Sequence, residues 1–137
     1  MTGADHPCRV LLVDDEDVLR SLLRLVLHRS GRYRVVGEAG DGQEGIESAA
    51  SLEPDLILLD LSIPRMDGLE ALPHLRRVAP DARVIVLSGF TADGAAGAAL
   101  EAGAHRYLEK GLSPPALLEA LDLVARSTGC QATSATA

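Results

Sequence analysis

Four acidic residues in a row, Asp14-Asp15-Glu16-Asp17, follow directly on the short run Arg9 to Val13, and another aspartate, Asp60, follows the run Asp55 to Leu59. Ser88 follows a third such run, Arg83 to Leu87, and Lys110 stands just past a fourth, His105 to Leu108. Taken singly, an acidic residue after an apolar run is an ordinary solvated turn or helix cap, and that reading suffices for Glu16 and Asp17. Asp14, Asp15 and Asp60 differ if their strands are neighbours. Three carboxylates within a few Å raise one another's pKa and destabilise a fold that offers no cation. Hard oxygen ligands with room for water suit Mg2+ or Mn2+. A hydroxyl at Ser88 and an ammonium at Lys110 would reach the same edge, where each could stabilise an anion. A lone strand-end serine is usually a turn residue and a lone lysine usually surface, so the weight rests on their convergence.

The elements that must position these groups are legible as an alternation. After Asp17 the residues Val18, Leu19, Leu22, Leu23, Leu25 and Val26 recur at helical spacing, so a buried strand is followed by a helix. The pattern repeats with strands over Arg9 to Val13, Tyr33 to Ala39, Asp55 to Leu59, Arg83 to Leu87 and His105 to Leu108. Helices are expected over Glu16 to Ser30, Gly42 to Ser51, Gly68 to Ala79, Ala92 to Ala102 and Pro114 to Ser127, with Gly31, Pro54, Pro80 and Gly103 as stops. Five such units imply an α/β, doubly wound, five-stranded parallel sheet, and strand order 2-1-3-4-5 would put the ends of the first and third strands side by side. Gly94 and Gly97 each cost their helix about 1 kcal/mol relative to Ala, so the fourth helix is expected to be weak and mobile.

Composition narrows the function. With 137 residues and 47% hydrophobic content, one domain with one core is expected over 1–127, and the small, polar 128–137 is expected to be a disordered tail. A net charge of −7 argues against direct nucleic-acid binding and against adhesion to an anionic membrane. No signal-peptide pattern opens the chain and no apolar run approaches a membrane span, which implies a cytoplasmic protein. Cys8 and Cys130 lack metal or redox spacing and read as incidental thiols. His6, His28, His74 and His105 are scattered and form no ligand pair.

In Val13-Asp14-Asp15-Glu16, in Asp60-Leu61-Ser62-Ile63-Pro64-Arg65-Met66-Asp67-Gly68, in Leu87-Ser88-Gly89 and in Tyr107-Leu108-Glu109-Lys110 the chain resembles the receiver domain of bacterial two-component response regulators. The likeness covers all but the two tails. It implies a flavodoxin-like (βα)5 fold and Asp60 as phosphoacceptor. It also implies a divalent ion held by Asp14 and Asp15, one of them through water, by Asp60 itself and by the backbone carbonyl of Ser62. Lys110 and Ser88 would neutralise the transferring oxygens, Ser88 and Tyr107 would form the switch pair, and Ser62 with Phe90 would control water access to the acyl phosphate. By the same resemblance the donor is a sensor histidine kinase or phosphotransfer protein docking near the first helix. Output would leave through the fourth helix, fifth strand and fifth helix, to a downstream protein or a missing output domain, with a phosphorylation-dependent homodimer as one form. The chain would then be a stand-alone receiver or a truncated regulator, not an enzyme beyond its own phosphorylation and dephosphorylation. Gly111 follows Lys110 where many receivers have proline, so no cis-proline turn is available there.

Three other readings compete. Gly40-Asp41-Gly42-Gln43-Glu44-Gly45 matches a dinucleotide fingerprint, although Asp41 and Glu44 would repel a pyrophosphate. Asp15-Glu16-Asp17 matches the Asp-x-Asp of haloacid-dehalogenase-like phosphatases, but Leu19 stands where a hydroxyl residue is expected and Asp60 and Tyr107 go unexplained. A receiver used only as an unphosphorylated adaptor would not need the intact acidic cluster with Ser88 and Lys110.

Overall fold

The apolar runs are too short for helices and too uniformly apolar for strands with one wet face, so each has to be covered on both sides. The computed structural model, which describes residues 6–89, 95–128 and 130, meets that demand. Strands β1 (Cys8–Val13), β2 (Tyr33–Ala39), β3 (Leu56–Leu59), β4 (Arg83–Ser88) and β5 (Arg106–Glu109) alternate with α1 (Asp17–Ser30), α2 (Gly42–Leu52), α3 (Gly68–Val78), α4 (Ala95–Glu101) and α5 (Pro114–Ala125). All strand pairs are parallel and the order is β2-β1-β3-β4-β5, the expected flavodoxin-like arrangement.

Strand alternation splits the core into two layers. Leu11, Val13, Ile57, Leu59, Val84 and Val86 face Ala49 of α2, Leu72 and Leu75 of α3 and Ala99 of α4. Val10, Leu12, Leu56, Leu58, Ile85 and Leu87 face Leu23 and Leu27 of α1 and Leu117 and Leu121 of α5. Local signals set the helix ends. Asp41, Asp67 and Ser113 accept the amides of Glu44, Glu70 and Ala116, and Gly31 closes α1 in the left-handed region. Among the described residues no helix is long and apolar enough to cross a membrane.

Boundaries shift where side chains compete with the ladder. β4 takes in Ser88, while β5 starts at Arg106 because the His105 ring accepts the Val84 amide. Phe90 and the expected start of α4 at Ala92 to Gly94 lie outside the described residues, as does most of 128–137.

The two cysteines are not incidental. Cys8 and Cys130, 122 residues apart, form a disulfide with a Cα–Cα distance of 4.9 Å. Sequence separation carried no hint of this, because the turn after α5 brings the chain back to the amino end of β1. Thr128 Oγ1 donates to Ala125 O and accepts the Cys130 amide, which aims Cys130 at the buried Cys8. Protein purified without reductant is expected to take up no alkylating agent until it is reduced and unfolded, and then two equivalents. Cys130→Ser should lower oxidised-state stability by about 2 to 4 kcal/mol; equal melting of wild type and variant under oxidising conditions would contradict the bond.

Candidate functional site

The chain leaves β1 toward β2 on one side and later returns to β3 on the other, so the carboxyl ends of β1 and β3 border the crevice where the winding reverses. Asp14 and Asp60 stand there with their backbones fixed. The Asp14 amide donates to Ala39 O at 3.0 Å and the Asp60 amide to Val13 O at 2.9 Å. Asp14 Oδ1 accepts the Glu16 amide at 2.9 Å and Asp60 Oδ1 the Ser62 amide at 3.1 Å. Lys110 Nζ lies 3.2 Å from Asp14 Oδ2 and 3.1 Å from Asp60 Oδ2. One carboxylate oxygen each of Asp14, Asp15 and Asp60 falls within 4.8 Å of the other two, with Asp14 and Asp60 buried and Asp15 exposed.

The electrostatics are strained. Burial pushes the Asp60 carboxyl above its ordinary pKa and the Asp14 charge adds to this, outweighing the Ser62 amide and Lys110. Burial alone would pull Lys110 down, but the hydrogen bond and charge of Asp60, helped by Asp14, raise it instead. One ammonium thus pairs with two of three clustered carboxylates, a donor set of hard oxygens opening on solvent at Asp15, which fits a divalent cation.

The remaining expected residues occupy the same edge. Ser88 is fully buried at the end of β4, and its carbonyl accepts the Lys110 amide at 2.8 Å. Tyr107 pairs with Val86 on the neighbouring strand and packs against the core layer under α2, α3 and α4, so it shares a sheet face with Ser88 two residues along. Ser62 is exposed in the loop after Asp60. Gly68 starts α3 directly beneath that loop, where a Cβ would come 2.6 Å from Asp60 O and Leu61 Cα. Gly111 takes φ +99°, so the position after Lys110 favours glycine.

Two participants escaped sequence reasoning. Arg20 of α1 reaches back to the acidic turn: it binds the Asp14 carbonyl, Asp17 Oδ1 and Glu38 Oε1. Its signal was faint, an arginine one turn after Asp17. Arg65, at φ 68°, pairs with the buried Asp41 at 2.9 Å and ties the loop after β3 to the start of α2.

The competing motifs dissolve into packing. In the glycine fingerprint, Asp41 and the Glu44 carboxylate take the amides of Glu44 and Gly40, the donors a pyrophosphate would need. Gly42 is required because a Cβ would lie 2.3 Å from Met66 O, and Gly45 packs on Val13. Asp17 points outward to Arg20 rather than toward Asp15. His28 and His105 accept backbone amides, and His74 contacts Arg77.

Residues 10–122 match the model of the response regulator receiver domain. The chain is 43% identical over 116 residues to the nitrate/nitrite response regulator protein NarL of Escherichia coli K12, a match covering 85% of this chain and 54% of NarL, so it spans about half that relative's length. It is 34% identical over 118 residues to the chemotaxis protein CheY of Thermotoga maritima, covering 86% of this chain and 98% of that protein. Among solved structures it is similar to the CheX-CheY-BeF3-Mg complex of Borrelia burgdorferi, with a TM-score of 0.81 and 26% identity over 87% of this chain and 90% of the matched one.

Proposed function

Because the chain belongs to the response regulator receiver domain family of two-component systems, we propose that its domain, residues 1–127, accepts a phosphoryl group on Asp60 in a Mg2+-dependent reaction and signals through its α4-β5-α5 face. The observation that carries this reading is the meeting of Asp14, Asp15 and Asp60 within 4.8 Å beside Lys110. Asp14, Asp15, Asp60 and the Ser62 carbonyl would hold the cation, which when bound neutralises charge on the transferring oxygens. The Borrelia CheY relative was solved as a complex with Mg and BeF3, which supports the same pairing here.

An Asp60 oxygen attacks phosphorus in line as the bond to the donor's leaving group breaks, giving an aspartyl phosphate and the free leaving group. Lys110, already held against Asp60 Oδ2, turns its ammonium to a phosphoryl oxygen. Ser88 donates its hydroxyl to another, and Tyr107 follows into the space released on their shared face. Ser62 stands two residues past Asp60 and governs water approach to the acyl phosphate. The chain's own chemistry is limited to gaining and losing this group.

A sensor histidine kinase or phosphotransfer protein is the donor in this reading, and its docking face is α1. Val18, Leu22 and Leu25 are more than half exposed there, and an apolar hollow of about 170 Å³ lined by Leu19, Leu22, Leu23, Leu112 and Leu117 opens beside Lys110. The phosphorylated face then acts on a downstream protein, a second copy or an output domain. The acidic balance of 20 Asp and Glu against 13 Lys and Arg leaves direct nucleic-acid contact to such a partner.

Incubation with acetyl phosphate or phosphoramidate is expected to add one phosphoryl mass to the intact protein, and chelating Mg2+ or replacing Asp60 by Asn should abolish the gain. An adduct that persists in Asp60→Asn would move the acceptor elsewhere. No adduct in the wild type, with no stabilisation by Mg2+ and fluoroberyllate, would favour an unphosphorylated adaptor.

A further inference from the structure

Asp14 is held at every polar atom. Its amide donates to Ala39 O, its Oδ1 accepts the Glu16 amide, its Oδ2 meets Lys110, and its carbonyl accepts from Arg20 Nη1. The first three partners are backbone groups or the site's own lysine. The fourth is a long side chain one turn into α1, and that side chain is only 17% exposed. Its other nitrogens are committed as well, Nε to Glu38 Oε1 at 3.0 Å and Nη2 to Asp17 Oδ1 at 2.5 Å. Arg20 therefore spans the end of β1, the edge strand β2 and the first turn of α1.

We infer that Arg20 is a positioning residue for the cation site, setting the Asp14-Asp15 turn through the Asp14 carbonyl; the inference rests on the proposed metal role of these aspartates. A planar guanidinium with five donors in a fixed fork suits this task, since one group can grip three acceptors from three elements. Glu38 gives its other oxygen to Arg24, which leaves Oε1 to Arg20. Peptide orientation at Asp14 fixes where the carboxylates of Asp14 and Asp15 leave the chain. Outer partners of metal ligands commonly act in this way.

Positioning and plain electrostatics predict opposite signs. Arg20 carries a positive charge close to a cation site, so by charge alone its removal should tighten Mg2+ binding. If it sets the ligand geometry, removal should loosen binding despite the gain in negative field. Arg24→Gln removes the same charge one turn further along α1 from a residue that touches Glu38 but not Asp14.

The experiment is calorimetric titration of Mg2+ into wild type, Arg20→Gln, Arg20→Lys and Arg24→Gln, with melting measured in chelator to establish that each is folded at the working temperature. Affinity is expected to fall about tenfold in Arg20→Gln and by a smaller factor in Arg20→Lys, which keeps the charge but cannot span three acceptors. Arg24→Gln should bind at least as tightly as wild type. Unchanged or tighter binding in a folded Arg20→Gln overturns the inference, as does an equal loss in Arg24→Gln. Should Arg20→Gln fail to fold, Arg20→Lys decides, and wild-type affinity there overturns it. A wild type that binds no Mg2+ sinks the proposed metal site itself and the inference with it.

Discussion

Asp60→Asn is expected to melt at a higher temperature than wild type in Mg2+-free buffer at neutral pH, by a few °C or on the order of 1 kcal/mol, while taking up no phosphoryl group at all. The ionised Asp60 carboxylate is buried beside Asp14, and its pKa is raised above the unfolded value, chiefly by that burial. A raised carboxyl pKa means that the folded state prefers the protonated form. Its stabilising contribution is complete below the unfolded pKa and is lost as pH rises through the folded one. At neutral pH the group therefore works against folding, and an amide of the same shape removes the penalty. Asn can still accept the Ser62 amide through its oxygen, and Lys110 keeps Asp14 at 3.2 Å. The advantage should shrink as pH falls, since wild type recovers stability on protonation and the variant does not. It should also shrink on adding Mg2+, which compensates only the wild-type charge. Thermal melts of both proteins across pH, with and without Mg2+, test this. A variant less stable than wild type at neutral pH would mean that the Lys110 ion pair outweighs the burial of the carboxylate.

The burial of Asp60 bears on why the candidate site was legible and parts of the fold were not. Runs such as Leu56–Leu59 reported burial on both faces, and the helix starts at Gly42 and Gly68 were legible too, because each is decided by local chemistry, including the Asp41 and Asp67 caps that the structure shows. Asp14, Asp60 and Lys110 stood out only together, since each alone passes as a turn or surface residue, but local rules do not ask for two carboxylates and an ammonium at one sheet edge. Arg20 and the Asp41–Arg65 pair were missed for the opposite reason. An arginine on a helix or in a loop satisfies every local expectation, and its partners lie on other elements at distances set only by tertiary packing. The Cys8–Cys130 bond was hidden likewise, since its geometry depends on where the turn after α5 lands. The start of β5 shifted because the His105 ring intercepts an amide of β4. Period and composition carry no trace of such contacts.

Lys110→Met should show the reverse of Asp60→Asn, losing stability in Mg2+-free buffer and recovering it with Mg2+ without recovering phosphoryl transfer. The Lys110 ammonium bridges Asp14 and Asp60 on a side chain only 20% exposed, so its removal leaves two buried carboxylates facing each other. Breaking such a pair from one side costs about 3 kcal/mol when burial is deep, and partial exposure places this case at or below that figure. The sign with pH follows from both partners. Lys110 has a raised pKa, so its contribution is complete below the unfolded lysine pKa and disappears only as pH climbs through the folded one. The carboxylates lose their need for it once protonated, so wild type and variant should converge at acid pH and diverge toward neutrality. A divalent ion among Asp14, Asp15 and Asp60 supplies the missing charge and should restore most of the melting temperature. In the proposed reaction it does not replace the ammonium that would meet the phosphoryl oxygen, so phosphorylation by phosphoramidate should remain slower by about 10²- to 10³-fold. If Mg2+ restores the rate along with the stability, Lys110 serves only to hold the carboxylates apart and the catalytic reading of its ammonium fails. If Mg2+ restores neither, the metal and the ammonium share the same position and the proposed ligand set is wrong.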